Sequence, residues 1–123
     1  MKKDFQVKKI KYLITILSLL LAPLSMAGEI SGKVAKVING DTIKILIQET
    51  EFTVRLAGVD CPGKNLPSGM AARKFTSRLI DERTVTVRTQ GMDPQGRTIG
   101  EVILPDGRNL GRELIKSGRC AAL

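Results

Sequence analysis

Polar and apolar positions alternate along most of this chain, and the period switches from two to about 3.6 at two places. From Glu29 to Ile38 the apolar positions are Ile30, Val34 and Val37-Ile38, with Gly32 interrupting, so a strand with a bulge is predicted. Asn39-Gly40 is a tight-turn dipeptide. Ile43, Ile45 and Ile47 then share one face of a second strand, Thr42 to Gln48, and Thr50-Glu51 reads as the next turn. Phe52, Val54 and Leu56 alternate through Gly58, which makes an antiparallel three-stranded meander. Pro62 to Gly69 is a loop rich in Gly, Pro, Asn and Ser. Ser68 is placed to cap a helix from about Met70 to Glu82, whose Ala71, Ala72, Phe75, Leu79 and Ile80 recur at helical spacing. A fourth strand spans Arg83 to Thr89, a loop Gly91 to Gly96, and a fifth strand Thr98 to Leu104. Pro105-Asp106-Gly107 turns the chain, Asn109 caps a last helix with Leu110, Leu114 and Ile115, and Gly118 ends it. Five short strands, with one helix between the third and fourth and one after the fifth, predict a mainly β domain with helices: an α+β, OB-type five-stranded barrel.

The first 27 residues stand outside this pattern. Lys2, Lys3, Lys8, Lys9 and Lys11 precede an apolar run from Tyr12 to Ala22, and Ser25-Met26-Ala27 is a small-x-small cleavage site. This is the form of a secretory signal peptide. The run is too short for a membrane span of about 20 residues. Residues 1–27 are therefore expected to be removed on export, leaving one domain, residues 28–123, in a secreted or periplasmic location and without stable membrane association. The leader carries half of the formal net charge of +8, so the remaining domain is only mildly basic. That balance suits a polyanion but does not single one out. There are two cysteines, Cys61 and Cys120. In an oxidising compartment an even count permits one disulfide, two isolated thiols being the other arrangement.

Charged residues sit at the ends of the strand-like runs. Asp41 follows the Asn39-Gly40 turn, and Asp60 closes the third strand just before Pro62. Arg55 alternates with Val54 and Leu56 and so points to the opposite face, while Arg97 follows Gly96 in a loop. Carboxylates supply hard oxygen donors for divalent cations. Guanidiniums offer a planar, permanently charged fork to phosphate oxygens. Each residue also has a plainer role: Asp41 as a turn residue, Asp60 as a loop cap, the arginines as solvated surface cations.

Three segments, Val37-Ile38-Asn39-Gly40-Asp41-Thr42, Arg55-Leu56-Ala57-Gly58-Val59-Asp60-Cys61-Pro62 and Asp93-Pro94-Gln95-Gly96-Arg97, occur in this order, followed by Asp106-Gly107-Arg108-Asn109-Leu110. With them the chain resembles the thermonuclease (staphylococcal nuclease-like) family of secreted, Ca²⁺-dependent nucleases, from Gly32 through Gly118. The resemblance implies a monomer that hydrolyses phosphodiester bonds of DNA or RNA. It implies Asp41, Asp60 and the carbonyl of Cys61 as Ca²⁺ ligands, and Arg55 and Arg97 as the catalytic clamp on the phosphate. The chain departs from the family in three ways. Gly63 stands where the family places a glutamate that serves the metal's water shell and is the favoured general base, so reduced activity is expected. Beyond residue 27 the aromatics are Phe52 and Phe75, neither expected to form a stacking platform. The family's third helix is absent, which is expected to leave the core partly uncovered. In the implied fold the loop holding Cys61 lies near the end of the last helix, where a Cys61–Cys120 bridge would tie down the terminus. Two alternatives follow from the departures: a non-catalytic module binding nucleic acid through Arg55, Arg97, Lys64, Arg73 and Lys74, or a degenerate, truncated family member.

Overall fold

The structure, a computed structural model, describes residues 28–123; the signal peptide expected at residues 1–27 lies outside them. The predicted strands and helices appear in order, with two further short strands, and Asp60 lies in the first of these rather than at the end of the third strand: β1 (Gly28–Asn39), β2 (Thr42–Ile47), β3 (Thr50–Leu56), β4 (Val59–Asp60), α1 (Pro67–Ile80), β5 (Thr84–Met92), β6 (Thr98–Ile103), α2 (Leu110–Lys116) and β7 (Ala121–Ala122). Five strands close a barrel in the order β1-β2-β3-β6-β5, and β4 pairs with β7 in a separate two-stranded sheet. The meander β1-β2-β3 is antiparallel, as is β5 with β6 and with β1; the barrel closes through a parallel β3–β6 pairing that sets Arg55 beside Ile99.

Alternation explains the interior. Val34, Ile43, Ile45, Val54, Val85, Val87 and Val102 are completely buried, and β-branched side chains suit the pleated inner wall. Leu110 and Leu114 of α2 and Ala72 and Ile80 of α1 complete the core. Around this core Phe52 and Ile115, both expected on apolar faces, remain exposed.

Local details differ from the sequence reading. The bulges of β1 fall at Val34/Lys36 and Val37/Asn39 rather than at Gly32. Gly32 instead lets β1 approach β2, since a Cβ there would lie 2.7 Å from the Leu46 carbonyl oxygen. The second turn is Gln48-Glu49, not Thr50-Glu51, with Gln48 at φ 57°. The α1 helix starts three residues before the expected Met70. Leu66 is its N-cap and bonds no backbone N–H through its side chain; Pro67, with φ already fixed near the helical value, takes the first turn, and Ser68 is not the cap. Ala71 is exposed, while Thr76 is buried and donates to the Gly40 carbonyl at 2.8 Å. Asn109 caps α2 as expected, accepting from the Arg112 N–H at 3.2 Å.

The C-terminal residues are ordered by three kinds of contact. Cys61 and Cys120 form a disulfide. Ala121 and Ala122 pair with Asp60 and Val59, and the Leu123 N–H donates to the Gly58 carbonyl at 3.0 Å. The β4–β7 pairing was not expected from the sequence.

Candidate functional site

Asp41 occupies the second position of the Gly40-Asp41 turn, where the chain leaves β1 for β2. Its own N–H donates to the Asn39 side-chain carbonyl at 3.2 Å, an Asx turn that fixes the bend. Its carbonyl accepts the Leu56 N–H at 2.8 Å, so the turn is hydrogen-bonded to the end of β3. Gly40 is needed here for space. A Cβ would lie 2.8 Å from the Ala72 Cβ and 3.0 Å from the Cys61 Sγ. Gly40→Ala is therefore expected to destabilise the domain by about 1–3 kcal/mol through overpacking, read as a lower denaturation midpoint with an unchanged m-value.

The Asp41 carboxylate is buried and fully engaged. Oδ2 accepts the Cys61 N–H at 2.8 Å and forms an ion pair with the Arg55 Nη1 at 3.1 Å, while Oδ1 accepts the Thr42 hydroxyl at 3.1 Å. A buried charge needs such partners, because desolvation without them is prohibitive. Arg55 crosses from the outer face of β3. Its Nη1 also donates to the carbonyls of Val59 at 3.0 Å and Leu56 at 3.3 Å, and its Nη2 lies 3.6 Å from Asp60 Oδ1. Side-chain exposure runs from 7% at Asp41 through 20% at Arg55 to 65% at Asp60. One guanidinium thus joins a buried carboxylate to an exposed one at the rim of the barrel.

Arg97 is held apart from this group. It ion-pairs with Asp93 through Nε, its backbone N–H donates to Asp93 Oδ1 at 2.8 Å, and its Nη2 donates to Gln95 at 3.1 Å. Burial works to raise the Asp93 carboxyl, but hydrogen bonds from the Arg97 backbone and side chain, the Arg97 charge and the Gln95 N–H outweigh it and hold that carboxyl below the usual carboxylate range. Arg97 immediately precedes β6, whose Thr98 pairs with Val54 and Ile99 with Arg55. Asp41, Arg55 and Asp60 are therefore in contact, and Arg97 stands at the neighbouring strand's end with its donors directed to Asp93.

Cys61 enters the site twice. Its N–H holds Asp41, and its sulfur is bound to Cys120. Gly63 is exposed, with nothing within 4 Å of a Cβ built on it. Phe52 alternates with buried Val54 but is 37% exposed, at the end of β3 away from Asp41, and Phe75 packs half-buried against the core. The oxygen donors gathered here are of the kind that suits a hard divalent cation: the exposed Asp60 carboxylate, the buried Asp41 carboxylate joined to it through one guanidinium, and the Cys61 backbone beside them. Among the described residues no third acidic side chain, His or Cys joins them in a metal-binding cluster.

The residues that build this rim lie mostly in a region shared with known proteins. Residues 53–122 match the family described as staphylococcal nuclease homologue. An uncharacterized endonuclease of Escherichia coli O157:H7 is 31% identical over 108 residues, covering 88% of this chain and 70% of that protein. The micrococcal nuclease of Shigella flexneri is 33% identical over 78 residues, covering 63% of this chain and 45% of that protein. Endonuclease YhcR of Bacillus subtilis is 34% identical over 112 residues, covering 79% of this chain and 9% of that much longer protein. With the closed five-stranded barrel, these likenesses show that the chain belongs to the staphylococcal nuclease family.

Proposed function

We propose that the chain is a phosphodiesterase that cuts DNA or RNA with Ca²⁺, at a rate limited by the glycine at position 63. The observation that carries this reading is the Asp41–Arg55–Asp60 group, in which one guanidinium touches both carboxylates. Asp41, Asp60 and the Cys61 carbonyl would hold the ion. When bound, it supplies Lewis-acid polarisation of a phosphoryl oxygen and orients the phosphate. Arg55 places a charged, planar fork at the same point, where negative charge grows as phosphorus becomes five-coordinate. Arg55 is prepositioned because the carbonyls of Val59 and Leu56 fix its Nη1. Arg97 is the second cation of the clamp, fed from the adjacent strand. The names of the related endonucleases and the micrococcal nuclease support nucleic acid as the substrate. Export belongs to the same proposal, supported by the Lys-rich start, the apolar run and the small-x-small site in residues 1–27.

No side chain at position 63 can take the proton of the attacking water, and general-base assistance is worth about 10²–10⁴-fold. The structure leaves open space at that position, without a left-handed φ that would resist a side chain. Gly63→Glu is therefore expected to raise the Ca²⁺-dependent hydrolysis rate at least about tenfold. The check is the initial rate on single-stranded DNA for the two proteins side by side. An unchanged rate would show that the missing base is not what limits turnover.

A further inference from the structure

Three described arginines are half-buried: Arg55, Arg97 and Arg119. The first two are engaged with carboxylates. Arg119 differs, because among the described residues its side chain has neither a carboxylate nor a hydrogen-bond acceptor, and its Nε is buried without a partner. A buried N–H without a partner is uncommon in a folded domain, and the remaining donors of this guanidinium carry no protein acceptor among the described residues.

Arg119 is fixed from several sides. Gly118, at φ +75°, turns the chain out of α2, and the N–H groups of Arg119 and Cys120 both donate to the Leu114 carbonyl, at 3.1 and 3.3 Å. The next residue is locked by the Cys61–Cys120 disulfide, and the two after it pair with Asp60 and Val59. The guanidinium carbon lies 4.7 Å from the centre of the Phe75 ring. Cation–π contact uses the face of the guanidinium and leaves its in-plane N–H groups free. Arg119 also lines an open depression of about 390 Å³ together with Asp60, Cys61 and Pro62, shallow enough for a chain to lie across it. The negative charge of Asp60 on that wall is directed to Arg55 at 3.6 Å.

We infer that Arg119 is a phosphate-binding residue. The depression it lines takes a backbone phosphate of the nucleic acid next to the one held at Arg55. The identity of this ligand rests on the nuclease reading above. The C-terminal strap and the phenylalanine beneath it form the seat of a second subsite, and substrate length is then sensed by a cation outside the Asp41–Arg55–Asp60 group.

The test uses a labelled single-stranded oligonucleotide of about 12 nucleotides, with chelator present so that nothing is cut. Fluorescence anisotropy at several salt concentrations gives affinity and salt slope. Arg119→Ala should weaken binding roughly tenfold, as expected for a lost hydrogen-bonded charge contact. It should also make the log–log salt slope shallower by about 0.7, the value for one phosphate contact on a single strand. Arg119→Gln, which keeps a side chain over Phe75, should do the same, and Arg119→Lys should keep the slope. Wild-type affinity and slope in both the Ala and Gln variants would overturn the inference. A second arm uses bis(p-nitrophenyl) phosphate, which has a single phosphate. Arg119→Ala should leave its Ca²⁺-dependent turnover unchanged, and an equal loss on this substrate and on DNA would also overturn the subsite. If the wild-type protein turns over neither substrate, the nuclease reading fails, while the anisotropy arm still decides Arg119.

Discussion

Arg55→Ala is expected to lower DNA cleavage by about 10²–10³-fold, the usual cost of removing one preorganised donor from a developing anion. Among the described residues no other side chain reaches both Asp41 and Asp60. Its removal takes away the fork and leaves two like charges facing each other without the cation between them. The loss should appear in kcat, because the fork's hydrogen bonds strengthen as charge builds on the phosphate. It also strips a partner from the buried Asp41 carboxylate, so a stability loss of about 1–3 kcal/mol should accompany it. Arg55→Lys separates the two effects. The charge persists and the fold is retained, but a single ammonium cannot hold two oxygens in a plane, and most of the rate deficit should remain. Steady-state kinetics with a thermal melt on each variant checks this. An Arg55→Ala protein within threefold of the wild-type rate would place the reacting phosphate elsewhere.

Reduction of the Cys61–Cys120 bridge is the change expected to cost most in stability. The bond spans 59 residues, and in the chain-entropy account a loop of that size corresponds to about 4 kcal/mol. A small domain has only about 5–15 kcal/mol in total. With about 4–8 °C lost per kcal/mol at this size, the melting temperature should fall by roughly 15–30 °C. The effect reaches the site because the Cys61 N–H holds Asp41 and β4 carries Asp60. Melting the oxidised protein with and without dithiothreitol, and the Cys61→Ser/Cys120→Ser double variant, gives the number. A shift under about 3 °C would show that the β4–β7 pairing and the α2 contacts hold the terminus without the covalent link.

How much of this could be read from the chain depends on the length of each signal. The long alternating runs around Ile43, Ile45 and Val54 marked their strands because burial on one face repeats the same choice many times. Asn109 marked its helix start through a side-chain oxygen that accepts the helix's own N–H. The β4–β7 pairing escaped notice, since two residues carry no period and their partners lie about sixty positions away. Ser68 misled because a capping side chain is a local preference, whereas Pro67 with its fixed φ decides where α1 starts. Phe52 kept the parity of the core but sits where the barrel wall ends, so alternation alone overstated its burial. At the site, Asp41, Arg55 and Asp60 were recognisable as residue types at strand ends, and the structure brings these three together. The depth of Asp41 and its bond to Cys61 were not legible, because they depend on α1 packing over the Gly40 turn. Arg97 was paired in the sequence reading with Arg55. Its ties to Asp93 and Gln95 are local loop chemistry that the Asp93-Pro94-Gln95-Gly96-Arg97 segment already contains. Nothing in the sequence marked Arg119, because its place over Phe75 is set by the disulfide and the turn at Gly118.

The most direct test is cleavage of single-stranded DNA by the purified domain in Ca²⁺, run beside a chelator control and an Asp41→Asn variant that keeps the shape of the buried side chain. Fragments that form in Ca²⁺ and disappear both with chelator and with Asp41→Asn are the predicted result. Cleavage indifferent to both, or retardation of the DNA with no cleavage in Ca²⁺, would contradict the assignment of Asp41, Arg55 and Asp60 as one hydrolytic centre.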